Sequence, residues 1–189
     1  MKRWLFILLF CLGWPGASVN AGAADTATRR TDGELQTIPA LDVARYLGTW
    51  YEIAKYPNRF QRKCASGTRA DYRLHGDGRL QVSNRCRTAN GEMIEAIGVA
   101  RQIGSATSAK LEVRFAPAWL SWLPLVWGDY WVIDLDDRYE LVAVSAPKRD
   151  YLWILARTPR VSPERYAALL DRLQGMGFDL DKLEVTRQE

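Results

Sequence analysis

Few side chains in this 189-residue sequence have the types and spacing needed for catalysis. His75 is the only histidine, and it lies in a glycine-rich turn sequence at 75–78, where a side chain is typically solvated. No triplet of residues offers a nucleophile, a base and a group to orient the base. One histidine without a ligand cluster also argues against a metal site. We therefore expect a protein that is not an enzyme and holds neither a metal nor a cofactor.

The N-terminus has the three parts of a secretory signal peptide. Two basic residues precede the apolar run 4–12, which is too short to span a bilayer, and small residues fit cleavage at Ala21 or Ala23. A lipoprotein box with an acylated Cys11 is disfavoured, because Phe10 stands where a small residue is normal. The expected division is a signal peptide at 1–23, a flexible lead-in at 24–40 and one domain at 41–189.

The cysteine count is informative once the signal peptide is set aside. Removal of Cys11 leaves Cys64 and Cys86, an even pair in an oxidising compartment. A disulfide is the default interpretation, and two independent buried thiols are the alternative. The pair flanks the turn at 76–78, but the two positions do not match in register across it, so a bulge or an irregular strand end is required.

Composition and charge exclude several classes of protein. The chain is 48% hydrophobic and 25% charged, which is typical of a globular domain and unlike a disordered chain or a multi-span membrane protein. A net charge of +4 falls short of the clustered basic surface that duplex binding uses. We therefore expect no nucleic-acid partner. The sequence leaves two oligomeric states open, a monomer and a homodimer.

From residue 50 onward, the sequence alternates short β-branched and aromatic runs with turn residues. None of the intervals between them could hold a crossover helix, so an antiparallel meander is expected. Eight such strands can close into an all-β, up-and-down barrel whose interior holds side chains or one small ligand. The predicted strands are 50–56, 68–74, 80–86, 93–102, 110–115, 129–135, 139–145 and 151–157.

One α-helix follows the last strand. Ser162 is a good N-cap, Pro163 suits the first helical position, and glycines at 175 and 177 end the helix. A shorter helical turn is expected at 43–47. The long helix packs on the outside of the barrel through an apolar stripe of Tyr166, Leu169, Leu170 and Leu173.

Three motifs occur in order and at fitting spacing: Gly48-x-Trp50-Tyr51, Asp136-x-x-Tyr139, and Arg157 at the end of the eighth strand. Together they resemble the signatures of the lipocalin family over residues 41–188. Longer segments resemble the bacterial lipocalins related to apolipoprotein D and to plant temperature-induced lipocalins. Those segments are 50–54 with 58–61, 128–132, and 151–158.

The resemblance implies a barrel closed at one end by Arg157 packed over Trp50. Both residues are then structural, since the first strand starts and the eighth ends at the same end of a meander. A desolvated guanidinium over an indole contributes about 1–2 kcal/mol. The first, third, fifth and seventh connections must lie at the opposite end, the mouth.

The mouth connections are where function is expected. Several cations lie there, among them Arg59, Lys63, Lys148 and Arg149. The fifth connection, 116–127, contains Trp119, Trp122 and Trp127 and no charge, and is called the tryptophan loop below. Such an apolar loop is expected to form a lid or a wall of the cavity, to contact a membrane surface, or to form a partner or dimer patch.

Strand alternation predicts the cavity wall. An inward Trp50 places Glu52 on the same face, and an inward Arg157 places Trp153 there; Trp131 and Ile133 are the alternative pair on the sixth strand. An inward carboxylate needs a hydrogen-bond partner or a proton, so a purely structural role for Glu52 stays open. The predicted ligand-binding residues are Glu52, Ala54, Tyr56, Arg59, Trp119, Trp122, Trp127, Tyr130, Val132, Tyr151 and Trp153.

An apolar pocket under a cationic rim suits an acyl chain with an anionic head group. The resemblance points to the same ligands, fatty acids or lysophospholipids, carried in the bacterial envelope. We therefore expect an exported lipid-binding protein of the periplasm, associated with the outer membrane. A module that docks through the tryptophan loop is the second hypothesis, and a lipocalin-type enzyme is a less favoured third.

Overall fold

The computed structural model describes residues 33–76 and 79–188. These residues form nine strands in one antiparallel sheet and two α-helices, joined by loops and short turns. The predicted signal peptide and Cys11 lie outside the described residues. The strands follow one another as a meander, and β8 returns to pair with β1. The elements are α1 (Val43–Tyr46), β1 (Gly48–Lys55), β2 (Ser66–Leu74), β3 (Leu80–Arg87), β4 (Met93–Gln102), β5 (Lys110–Arg114), β6 (Gly128–Leu135), β7 (Leu141–Ser145), β8 (Leu152–Ala156), α2 (Pro163–Gly175) and β9 (Glu184–Val185).

The first strand closes the barrel by pairing on both sides. Residues 48–51 pair with β2, and residues 51–55 pair with β8. Where β1 and β2 separate, the C-terminal segment 184–188 fills the gap: Thr186 N–H donates to Ile53 O, and Gly67 N–H donates to Arg187 O, both at 2.9 Å. The eight-stranded barrel with one outer C-terminal helix is confirmed, and β9 is an additional strand.

The floor of the barrel is built around Trp50 and Arg157. The guanidinium of Arg157 lies 4.0 Å from the centroid of the Trp50 ring, which is fully buried. The same guanidinium donates hydrogen bonds to the carbonyls of Arg45, Thr49 and Tyr139 at 2.7–3.1 Å. Because one planar cation both stacks and binds three carbonyls, it joins the two ends of the meander.

Glycine is required at position 48, immediately before the signature tryptophan. Its φ of 97° lies in the left-handed region that favours glycine, and a Cβ there would lie 3.3 Å from Arg157 Nη1. The preceding helix α1 is capped by Asp42, whose carboxylate accepts hydrogen bonds from Ala44 N–H and Arg45 N–H. The cap and the glycine together direct the chain beneath the barrel and into β1.

The second signature forms the turn between β6 and β7. Asp136 accepts hydrogen bonds from the N–H groups of Glu140 and Leu141. Tyr139 has a φ of 59°, and its hydroxyl accepts a hydrogen bond from Asp42 N–H. Positions 139 and 140, predicted as the start of the seventh strand, therefore belong to this turn, which links helix α1 to the floor.

Helix α2 forms as its capping residues predict. Ser162 accepts a hydrogen bond from Arg165 N–H, and Pro163 occupies the first turn. Leu169 and Leu173 are fully buried in a second core between the helix and the outside of the barrel. Leu35 joins this core, and Ile38 N–H donates to Val132 O. Residues 35 and 38 are thus packed, unlike the flexible lead-in predicted there.

The disulfide between Cys64 and Cys86 is confirmed, with the two Cα atoms 5.5 Å apart. Cys64 lies just before β2 rather than within it, and the β2–β3 register shifts between Ser66 and Arg69. This bulge is the irregularity that the unequal positions of the two cysteines required. The cross-link ties the first mouth connection to the end of β3.

Arg157→Lys tests the importance of the floor. Lysine keeps the charge but loses the planar stack and the fork of donors, so we expect the free energy of unfolding to fall by about 1–3 kcal/mol. Chemical denaturation of both proteins measures the change. Arg160→Lys, at an exposed site, is the matched control and should leave stability unchanged. Equal stability of all three proteins would contradict the importance of the stack.

Candidate functional site

Three tyrosines occupy the lower part of the barrel interior, above Trp50. The hydroxyl oxygen of Tyr130 lies 2.8 Å from that of Tyr46 and 2.7 Å from that of Tyr72. Burial raises the pKa of Tyr72 to about 12 and holds the pKa values of the other two well above the ordinary value. All three hydroxyls therefore stay protonated, and that of Tyr130 pairs with the other two. The three rings fill the lower interior.

The upper part of the interior is open to solvent. Strands β3 and β4 pair without a register shift, so Asn84 and its partner Ala96 face the same side as the buried interior residue Val82. Both Asn84 and Ala96 are nevertheless exposed. Solvent thus reaches the inner face of the sheet at the mouth end. We call the space along this inner face, at the mouth end of the barrel, the upper interior.

Gly98, the next inward position on β4, provides room for Phe115. A Cβ on Gly98 would lie 2.7 Å from Cδ1 of Phe115 and 2.6 Å from the carbonyl oxygen of Arg114. Only glycine allows so close an approach. The Phe115 ring therefore packs against the inner face and forms one side of the upper interior.

A bulge in β1 changes which residues face the cavity. The register with β8 shifts between Glu52 and Ala54, so Ala54 packs in the helix-facing core and Lys55 pairs with Trp153. Tyr56 also lies outside, where its hydroxyl donates to Asp179 O at 2.9 Å. The prediction that Ala54 and Tyr56 face the cavity is wrong, because the strict alternation on which it depended ends at the bulge.

Lys55 brings a cation to the inner face that the alternation had placed outside. Its side chain is 15% exposed, and its Nζ lies 3.4 Å from Oε2 of Glu184 on β9. Because its strand partner Trp153 belongs to the interior cluster, Lys55 starts on the inner face, and its ammonium group pairs with Glu184.

Glu52 forms a buried polar group with its neighbours. It is 2% exposed; Gln61 Nε2 donates to Oε2 at 2.5 Å and Thr186 Oγ1 donates to Oε1 at 2.6 Å. Gln61 also accepts a hydrogen bond from Trp153 Nε1 at 2.9 Å. Burial raises the pKa of the Glu52 carboxyl, and the two hydrogen bonds offset only part of this effect. Glu52 therefore has the partners that an inward carboxylate needs.

Aromatic rings line the mouth beside this polar group. Tyr151 and Trp153 are stacked, with ring centroids 5.5 Å apart and planes inclined by 4°. Phe60 lies 5.8 Å from Tyr151 and is 65% exposed. On β6, Tyr130 and Val132 face inward as predicted, whereas the alternatives Trp131 and Ile133 belong to the outer core.

The cations of the mouth are not equivalent. Arg59 is exposed and its guanidinium lies 4.9 Å from the Phe60 ring centroid; Lys63 and Lys148 are also exposed. Arg149 turns away instead, donating hydrogen bonds to Met176 O at 2.8 Å and Gly33 O at 2.9 Å. Arg149 was expected among the cations of the mouth, but its donors bind the helix end and the N-terminal segment instead.

The tryptophan loop folds against the outer wall. Arg101 and its partner Glu112 alternate with interior residues and therefore face outward. The Trp127 ring lies 4.0 Å from the Arg101 guanidinium and 5.3 Å from that of Arg114. Trp127 is thus outside the barrel, which corrects its predicted place in the cavity wall. Trp119 and Trp122 are exposed, so of the three expected roles of the loop, a lid or wall of the cavity is the one that this arrangement does not favour.

Gln61 and Lys55 are the site residues that alternation did not predict. Gln61 lies in the short 3₁₀ turn Arg59–Gln61, whose start Asn58 caps by accepting hydrogen bonds from Phe60 N–H and Gln61 N–H. The Asn-x-x-Gln spacing is a visible capping signal, although it does not tell which way the glutamine points. The bulge that turns Lys55 inward has no residue signature.

His75 and the acidic side chains of the described residues are placed as follows. The His75 ring is exposed and its Nε2 lies 2.6 Å from Gln81 Oε1. Across 33–76 and 79–188, no group of three or more histidine, cysteine or acidic side chains is placed to hold a metal ion. Over the same residues, no helix has the length and hydropathy to cross a membrane.

The raised pKa of Glu52 predicts a pH dependence of stability. A carboxyl whose pKa rises on folding stabilises the fold below its ordinary value of 4.5, and this contribution is lost as the pH rises through the folded value. The glutamine of Glu52→Gln cannot ionise, so this variant avoids the loss of stability. The loss is about 1.4 kcal/mol for each unit by which folding raises the pKa. The unfolding free energy of Glu52→Gln relative to wild type should therefore increase with pH above 4.5.

Glu92→Gln, at an exposed position in the β3–β4 connection, is the control for this profile. Its pH profile should run parallel to that of the wild type. Parallel profiles for Glu52→Gln and the wild type would show that the buried carboxyl ionises as freely in the fold as in the unfolded chain.

Sequence relatives cover most of this chain. It is 40% identical to temperature-induced lipocalin-1 of Arabidopsis thaliana over 157 residues, 82% of this chain and 83% of the relative. It is 41% identical to the outer membrane lipoprotein Blc of Escherichia coli K12 over 142 residues, 75% and 76% of the two chains. Mouse apolipoprotein D is 35% identical over 153 residues, 78% and 77% of the two chains.

Solved structures show the same fold at lower identity. Insecticyanin of the tobacco hornworm Manduca sexta superposes with a TM-score of 0.63 at 19% identity, over 82% of this chain and 84% of that one. The cockroach allergen Per a 4 gives a TM-score of 0.61 at 22% identity, over 83% and 93% of the two chains. Residues 41–188 match the family described as the lipocalin-like domain. The chain therefore belongs to the lipocalin family.

Proposed function

We propose that this protein binds a single-chain lipid, a fatty acid or a lysophospholipid, with the acyl chain in the upper interior. The observation that carries the proposal is the exposure of the inward residues Asn84 and Ala96 above a packed floor. Each buried methylene contributes about 0.8 kcal/mol, so about ten of them support micromolar affinity after the costs of binding.

The polar groups around the mouth suit an anionic head group. Lys55 lies on the inner face, and Arg59, Lys63 and Lys148 are exposed at the same end of the barrel. An acyl chain that enters past Trp153 and Tyr151 leaves its carboxylate or phosphate near these cations. Charge-assisted hydrogen bonds there fix the orientation, whereas the apolar chain supplies most of the affinity.

We further propose that the protein acts in the bacterial envelope, as an exported protein associated with the outer membrane. Residues 1–23 have the pattern of a secretory signal, and the disulfide suits an oxidising compartment. The relatives named Blc are described as outer membrane lipoproteins. Binding and carriage of lipid, rather than catalysis, is the activity proposed.

Ala96→Trp tests whether the upper interior is the binding site. The indole would occupy the space assigned to the acyl chain, so we expect the affinity for a fluorescent fatty acid to fall about tenfold or more. Ile97→Trp is the matched control, because Ile97 follows Ala96 in the sequence but faces outward and is 57% exposed. Equal affinities of the two variants would place the lipid elsewhere.

Native mass spectrometry of the protein purified from its own envelope identifies the ligand directly. A co-purified mass that matches a single-chain lipid is expected. A mass of the polypeptide alone, together with no binding of the fluorescent fatty acid, would overturn the proposal.

A further inference from the structure

We infer that the tryptophan loop is a docking surface for an anionic lipid bilayer. The inference concerns the outside of the barrel and does not require that a lipid be carried inside it. It goes beyond ligand binding, because it assigns the protein a fixed orientation on a membrane.

The first observation is the exposure of large apolar side chains in one short loop. Trp119 and Trp122 are each 74% exposed and Leu125 is 96% exposed. No charged residue lies anywhere in 115–128. So concentrated an apolar surface is rare on a soluble protein and marks a site of interaction. Tryptophan in particular is enriched at the level of lipid head groups.

The second observation is that the loop bonds part of its own backbone. An apolar medium offers no hydrogen bonds, so internal partners for N–H groups lower the cost of entering it. Two consecutive 3₁₀ turns supply partners for five N–H groups, and the prolines at 117 and 124 have no N–H to satisfy. The N–H groups bonded within the loop are those of Leu120, Ser121, Leu123, Val126 and Trp127.

The third observation is the rigid attachment of the loop to the barrel. The Trp127 ring lies near the guanidinium groups of Arg101 and Arg114, and its indole N–H donates to Ser121 O at 2.8 Å. A main-chain carbonyl of the loop, Ala116 O, accepts a hydrogen bond from Arg114. These contacts anchor both ends of the loop and Ser121, which lowers the conformational entropy that the loop loses when Trp119 and Trp122 insert.

A bilayer fits these features better than a protein partner does. Protein interfaces carry about one hydrogen bond per 100–200 Å². The only polar side-chain atoms of the loop are the hydroxyl of Ser121 and the indole N–H groups. Indole N–H groups at the surface of a bilayer can donate to the phosphate and carbonyl oxygens of the lipids while the rings lie against the acyl chains.

The charges at the same end of the barrel favour anionic lipids to a modest degree. Exposed cations at the mouth include Arg59, Arg62, Lys63 and Lys148, whereas Glu92, Asp129 and Asp150 oppose them. We therefore expect apolar insertion to dominate binding and anionic head groups to strengthen it. The loop joins the mouth ends of β5 and β6 but packs along the outer wall, so docking would lay this wall against the lipid.

The test is co-sedimentation with phosphatidylcholine vesicles prepared with and without phosphatidylglycerol. We expect the wild type to bind the anionic vesicles and the double variant Trp119→Ser/Trp122→Ser to bind about tenfold or more weakly. Val185→Ser is the control, since Val185 is likewise 74% exposed but lies on β9 beside β1, on the far side of the barrel from β5 and the loop. This control should bind as the wild type does.

Two outcomes would overturn the inference: a wild type that ignores both kinds of vesicle, or a tryptophan variant that binds as tightly as the control. A loop that only joins two copies of the chain would give the first of these outcomes together with a dimer that dissociates in the tryptophan variant. The affinity of each variant for a fluorescent fatty acid is measured in parallel. An unchanged affinity in the tryptophan variant separates docking from ligand binding.

Discussion

The stack of the Arg157 guanidinium on Trp50 is the interaction on which the rest of the structure depends. The N–H groups of Arg157 donate to main-chain carbonyls of α1, of β1 and of the turn between β6 and β7. The first and last strands of the meander therefore meet at one cation. With that end filled by Trp50 and the tyrosine hydroxyls above it, the barrel can admit a ligand only at the other end. The ligand site that we propose therefore lies among the four mouth connections and on the inner face just below them.

The architecture was predictable because it follows from local patterns in the sequence. Turn residues and alternation mark the eight strands, and the Ser162 cap marks the helix. The two cysteines implied both the disulfide and the bulge that accommodates it. The inward orientation of Tyr130 and Val132 followed from alternation, since the register from β5 into β6 is regular up to that point.

The parts of the site that escaped prediction depend on interactions between distant segments. One extra residue in β1 places Lys55 on the inner face, where Ala54 and Tyr56 had been predicted. No residue type marks that bulge. Gln61 reaches Glu52 only because the first mouth connection folds back over the barrel, and Thr186 arrives from the C-terminal segment. Trp127 was placed in the cavity because its loop is apolar, whereas two arginines of the outer wall hold its ring.

The position of the disulfide couples the polar group of the interior to the redox state of the surroundings. Cys64 follows the turn that carries Gln61 by three residues, and its link to Cys86 holds that turn beside the end of β3. A thiol-rich environment would remove this covalent tie and leave the floor and the helix intact. The amide of Gln61, which joins Glu52 to Trp153, would then be held by hydrogen bonds alone.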